Sequence, residues 1–127
     1  MDNLFIPQEN KTPLVQCNYA LGQIQFNGRS IPENSIEFYE PVFKWIDNYV
    51  LQPQKETQVN IHLEYFNTST SKCLLDIFKK LYQMHQAGTS KVLITWIYEE
   101  DDEDMLEAGE DYQALIMLPF AMKKVST

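Results

Sequence analysis

The chain predicts an α/β fold, a single-domain mixed sheet of about five strands with crossover helices, and three observations predict it. Apolar and polar residues alternate from Val59 to Phe66, the pattern of a strand with one face more buried than the other. Apolar residues recur at spacings of three and four through Ile36, Tyr39, Phe43, Ile46 and Val50, and again through Leu74, Leu75, Phe78, Leu81, Tyr82 and His85, which places each set on one helical face. The two kinds of segment then take turns along the chain, as strands joined by crossover helices do.

The first two strands are short alternating stretches, Leu14 to Asn18 and Gln23 to Asn27, with Ala20, Leu21 and Gly22 between them as a hairpin turn. Gly28 serves the turn that follows, Pro32 fixes the chain, and Asn34 is placed to cap the next helix; connection is the first role of this loop. The Asn34 to Gln52 stretch contains Pro41, which lacks a backbone donor, so a short turn near Asn34 to Tyr39 is expected, with the main helix beginning close to Pro41. After the Val59 strand, Asn67-Thr68-Ser69-Thr70-Ser71 is rich in helix-capping residues and opens a helix from Ser69 to Ala87 that Gly88 ends.

Val92 to Tyr98 is apolar apart from Thr95 and reads as a central strand covered on both faces, with Trp96 and Tyr98 in the core. The acidic run Glu99 to Asp104 follows, then Met105, Leu106, Ala108 and Tyr112 mark a short helix interrupted by Gly109. Ile116 to Met122 closes the chain as a strand, and Pro119 makes it an edge strand or one that pairs incompletely. No repeat, linker or composition break divides residues 1–127, so one domain is expected.

Composition narrows the function. With 44% hydrophobic residues the chain can form a core, so a net charge of -8 is a surface property and not a sign of disorder. Ten basic residues are scattered without a cluster, so the field of the protein should repel phosphate backbones and anionic membranes, and neither nucleic acid nor membrane is an expected partner. Met1 to Pro13 has no signal-like pattern and no long apolar run occurs, which predicts a cytoplasmic location. Cys17 and Cys73 fit reduced, half-buried thiols.

Catalysis needs convergent titratable groups. The two histidines, His62 in a strand and His85 near a helix end, stand apart from any nucleophile at motif spacing, so no enzyme and no cofactor are expected. The acidic run lacks the central glycine and terminal glutamate of a calcium loop. Its acids instead favour the positive end of the following helix by about 0.3–1 kcal/mol each, and a metal is not expected. The hydroxyl cluster Thr68 to Ser71 admits two readings. In the first, Asn67, Thr68 or Ser69 caps the helix. The same corner also exposes free amides and a helix dipole that can stabilise an added phosphate, so it can serve as a switch.

Three segments read together resemble a known family. Gly28 to Asn34, Glu64 to Lys72, and Trp96-Ile97-Tyr98 with Asp101 to Tyr112 are similar to the SiaC-type biofilm-regulation phosphoproteins, in the right order over nearly the whole chain. The resemblance implies an adaptor with a fold similar to the anti-sigma-factor antagonist (STAS-like) class. It implies phosphorylation at Thr68 by a partner protein kinase and removal of the phosphate by a metal-dependent serine/threonine phosphatase. The unmodified form is then expected to bind and activate a diguanylate cyclase or another output protein, linking the switch to cyclic-di-GMP and biofilm regulation. The partner-binding surface implied is Asn67, Thr68, Ser69, Thr70, Ser71 and Lys72. Thr70 stands where many relatives carry serine, which leaves modification of Ser69, Thr70 or Ser71 open. Two other classes compete: a small-molecule or metal-binding domain built on the acidic run, and a constitutive structural subunit.

Overall fold

Periods of two and of three to four build, respectively, the strands and helices of one layered α/β unit. The computed structural model describes residues 1–126. Its strands are β1 (Leu4–Ile6), β2 (Leu14–Asn18), β3 (Gln23–Ser30), β4 (Glu56–Phe66), β5 (Lys91–Glu99) and β6 (Phe120–Val125), and its helices are α1 (Ser35–Tyr49), α2 (Thr68–Ala87) and α3 (Glu103–Leu115). The sheet order is β1-β2-β3-β4-β5-β6. The first three strands pair antiparallel and the rest parallel. The sheet thus has six strands where about five were expected. The extra one, β1, spans three residues, too short for alternation to mark it.

Each crossover steps to the next strand in the same direction, and right-handed connections of that kind put all the helices on one face. Burial agrees. Val59, Ile61 and Leu63 of β4 and Val92, Ile94 and Trp96 of β5 are buried in one core with the helices, while Leu93, on the other face, is 41% exposed. The expectation that β5 is covered on both faces is therefore corrected: its apolar run reflects strand preference on an open face. β6 lies at an edge, as Pro119 predicts, but runs from Phe120 to Val125 and leaves Pro119 just outside it.

Two helices differ from expectation because packing overrides local propensity. α1 is unbroken through Pro41. The ring sits on the exposed side, and one missing backbone bond is outweighed by the burial of Tyr39, Val42, Trp45, Ile46 and Tyr49. The buried stripe accordingly shifts away from Ile36, which is exposed. α3 continues through Gly109, which does not interrupt the helix but lets it approach β5: a β-carbon there would meet Trp96 Cδ1 at 2.5 Å. Trp96 is fully buried and donates from Nε1 to the Met105 carbonyl at 2.8 Å, while Tyr98 is only partly buried. Both cysteines are buried free thiols rather than half-buried ones.

Candidate functional site

Strands β3, β4 and β5 run parallel, so all three helices begin at the same end of the sheet, the carboxyl end where open α/β sheets usually place their sites. Asn34 caps α1 through a bond from the Glu37 amide at 3.0 Å, and Asp102 caps α3 through one from the Met105 amide at 3.0 Å. Asn67 caps α2, accepting from the Thr70 amide at 2.9 Å, which makes Thr68 the first residue of a 20-residue helix. The first amides of α2 and its dipole therefore surround the Thr68 side chain with partial positive charge.

The four consecutive hydroxyls have different fates. Thr70 is fully buried and donates to the Ser30 carbonyl at 3.0 Å. That leaves its oxygen to accept from Ser30 Oγ at 2.8 Å, and Ser30 Oγ in turn accepts from Tyr39 at 2.7 Å. Ser69 donates to Asn67 Oδ1 at 3.1 Å and accepts from Ser35 Oγ at 2.6 Å. Ser71 Oγ donates to Tyr112 Oη at 2.8 Å, because the Tyr112 proton goes back to the Ser71 carbonyl at 2.9 Å. Only Thr68 remains: it is exposed, and among the described residues no hydrogen bond engages its hydroxyl.

Of the six residues expected to meet a partner, Asn67, Thr68, Ser69, Ser71 and Lys72 thus reach the surface in whole or part, and Thr70 does not. Thr70 is corrected to an internal anchor of the helix start, sealed beneath it by Ser30 and Tyr39. The Gly28 to Asn34 segment also does more than connect. Its first part belongs to β3, and Ser30 accepts through its carbonyl from the Asn67 amide at 3.1 Å, holding the site in place. Ser30, Ser35, Tyr39 and Tyr112 are the contributors that sequence reasoning missed as partners of the cluster. Hydroxyl-bearing residues at the ends of neighbouring elements were the only available signal.

The titratable groups buried beneath the site stay uncharged. Burial pushes the Tyr39 phenol well up, and it also raises Tyr112 and the Cys73 thiol. These groups beneath α2 are therefore neutral at ordinary pH, and a negative charge placed on Thr68 would be a new feature of the first turn of α2, which carries no acidic residue. Lys72, exposed one turn along, shares a helical face with Thr68. The acidic run opens α3, with Asp102 occupied as its cap, and among the described residues no group of three or more ligating side chains is placed to hold a metal ion. His85 accepts from the Val92 amide at 3.0 Å, a structural role, and His62 faces Glu99 at 3.6 Å on the open side of the sheet. Among the described residues no helix is long and apolar enough to cross a membrane.

A helical layer on an open-faced sheet, with an unengaged threonine at a helix start, defines a small α/β protein without a catalytic constellation among the described residues. Comparison with known proteins gives the particular family. A family profile described as SiaC family regulatory phosphoprotein matches residues 6–125. A protein of Pseudomonas aeruginosa strain UCBPP-PA14 is 32% identical over 123 residues, 97% of each chain. The structure of SiaC of Pseudomonas aeruginosa is similar with a TM-score of 0.90 and 30% identity, covering 98% of this chain and 100% of that one. The SiaC chain in the crystal structure of the diguanylate cyclase SiaD with its activator SiaC, also from Pseudomonas aeruginosa, is 31% identical with a TM-score of 0.90, covering 96% of this chain and 99% of that one. The chain belongs to the SiaC family of regulatory phosphoproteins, and its role is regulatory rather than catalytic.

Proposed function

We propose that this chain is a cytoplasmic adaptor whose unphosphorylated form binds and activates a diguanylate cyclase, and that a kinase and a metal-dependent phosphatase switch it through Thr68. The observation that carries the reading is the isolation of one hydroxyl: Ser69, Thr70 and Ser71 give their protons to internal acceptors, while Thr68 stands exposed on the first turn of α2. A kinase needs an accessible hydroxyl with its proton free, and this segment offers one. The activator role is supported by likeness to SiaC, which is the activator of SiaD in the solved complex. The partner-switching, STAS-like character of the reading rests on the same corner. A dianion added there draws on the free amides of α2, so it can be held in place while it changes the surface that a partner meets.

The test is phosphate uptake read by intact mass after incubation with the partner kinase and ATP. Wild type should gain one phosphate and Thr68→Ala none, while Ser69→Ala keeps the gain. Equal uptake by wild type and Thr68→Ala would overturn the assignment. Cyclase activation measured with each form gives the second half: the phosphorylated protein should fail to activate where Thr68→Ala succeeds.

A further inference from the structure

We infer that the hollow between α2 and α3 is a docking trough for a partner segment carrying apolar side chains flanked by arginine or lysine, and that Thr68 heads the wall on which this segment closes; the regulatory part of the inference rests on the switch reading above. Two adjoining hollows, one of 280 Å³ between α2 and α3 and one of 350 Å³ between the end of β4 and the start of α3, share Phe66 and Ala108 as common walls of the trough. Its floor is apolar, with Phe66, Leu75 and Tyr112 only partly covered or buried along it. At its ends stand Tyr65, 58% exposed, and Leu115, 63% exposed. Single exposed apolar residues are ordinary, but two flanking one apolar hollow mark a surface built to be covered.

Charge selects the occupant. α3 carries Glu103, Asp104, Glu107, Glu110 and Asp111 and no lysine or arginine. Asp102 and Asp104 rim one hollow, where Glu64 is already paired with Arg29 at 3.2 Å, and Asp111 and Lys72 rim the other, so three acids against one lysine leave the rim acidic. An acidic wall over an apolar floor is complementary to a basic segment with apolar anchors, and an acidic one would meet like charge.

Spacing links the trough to the switch. Ser71, Lys72 and Leu75 line the α2 wall, and Thr68 precedes them by three, four and seven residues, so it stands at the head of the same helical stripe. A phosphate there would attract a basic flank, so exclusion would come from hydration: a dianion beside the apolar floor keeps its water and prevents the anchors from seating.

Two synthetic peptides of equal length and leucine content, one with lysine and arginine between the leucines and one with glutamate, test this by methyl NMR titration of the full chain. The basic peptide should shift Leu75, Ala108 and Leu115, and the acidic one should not. Leu115→Asp, a change outside the core, should weaken binding about tenfold or more. The pair Asp104→Lys and Asp111→Lys should remove most of its salt dependence. Absence of binding, equal shifts with both peptides, shifts centred on Val50 and Met84 between α1 and α2, or indifference to Leu115→Asp would each overturn the trough. Thr68→Ala should bind the basic peptide as wild type does, so a failed trough shows in the titration and a failed switch shows in phosphate uptake.

Discussion

Two buried chains of hydroxyls pin this fold at opposite ends of its sheet, and the difference between them separates hydroxyls bonded into the fold from one left free. At the amino end of the parallel strands, Tyr49, Thr57 and Ser90 are linked at 2.7 and 2.7 Å, tying α1 to β4 and to the turn before β5. At the carboxyl end, Tyr39, Ser30 and Thr70 are linked at 2.7 and 2.8 Å, tying α1 to β3 and to the first turn of α2. Both begin on an α1 tyrosine, and both are sealed in the core. They differ in the exposed threonine nearby. Thr89, beside Ser90, donates to the Met84 carbonyl at 3.1 Å and closes the α2 terminus, whereas Thr68, near Thr70, is left unengaged. A hydroxyl bonded within the fold contributes stability, whereas the Thr68 hydroxyl contributes none of that kind and faces solvent.

The largest expected effects test the two chains against each other. Thr57→Val should lower the unfolding free energy by about 2–4 kcal/mol, because the Ser90 hydroxyl loses its partner inside the core and Tyr49 keeps only the Gln54 amide. Urea unfolding reads the loss, and phosphate uptake should be unchanged. Ser30→Ala, in the middle of the other chain, should cost a comparable amount, about 2–4 kcal/mol, since Tyr39 loses its partner while Thr70 keeps its bond to the residue 30 carbonyl. A loss at one site without a comparable loss at the other would show that the two chains do not carry equal weight.

Alkaline pH gives a smaller effect that sharpens it. Burial raises Cys17 from 9.0 to about 12 and raises Tyr39 above its ordinary value, so the folded protein resists losing protons that the unfolded chain releases. For groups raised in this way the stabilisation is complete below the unfolded value and is lost as pH rises through the folded one. Urea midpoints should therefore hold up to about pH 9 and fall steadily towards pH 12. Tyr39→Phe should flatten part of that fall, and an unchanged slope would show that the carboxyl-end chain does not contribute. Smallest of all in stability is Thr68→Ala, within about 0.5 kcal/mol of wild type by the same assay, because the side chain is exposed and unbonded. A loss above about 1 kcal/mol would show that Thr68 is part of the staple rather than the residue left over.

Much of the fold was legible where local rules and packing agree. The β2–β3 hairpin, the cap at Asn34, a cap for α2 at Asn67 or one of the two residues after it, the Gly88 stop with its left-handed φ of 78°, and the edge position of β6 all follow from residue chemistry within a few positions. Where the two disagree, packing prevails. Pro41 and Gly109 look like breaks, yet the burial of Tyr39 and Tyr49 carries α1 through one, and close contact with Trp96 explains the other. β1 was invisible because three residues carry no period. The site divides in the same way: the hydroxyl cluster at a helix start was readable, but the burial of Thr70 was not.

The sequence by itself determined the element types, the capped start of α2 and the run of four hydroxyls there, because periodicity and capping act over a turn or two of chain. The tertiary structure alone decided which face of the sheet stays open and which hydroxyl stays free. Ser30, Ser35 and Tyr112 reach the cluster from 34 to 41 residues away, so their claims on Thr70, Ser69 and Ser71 exist only once the layers have packed.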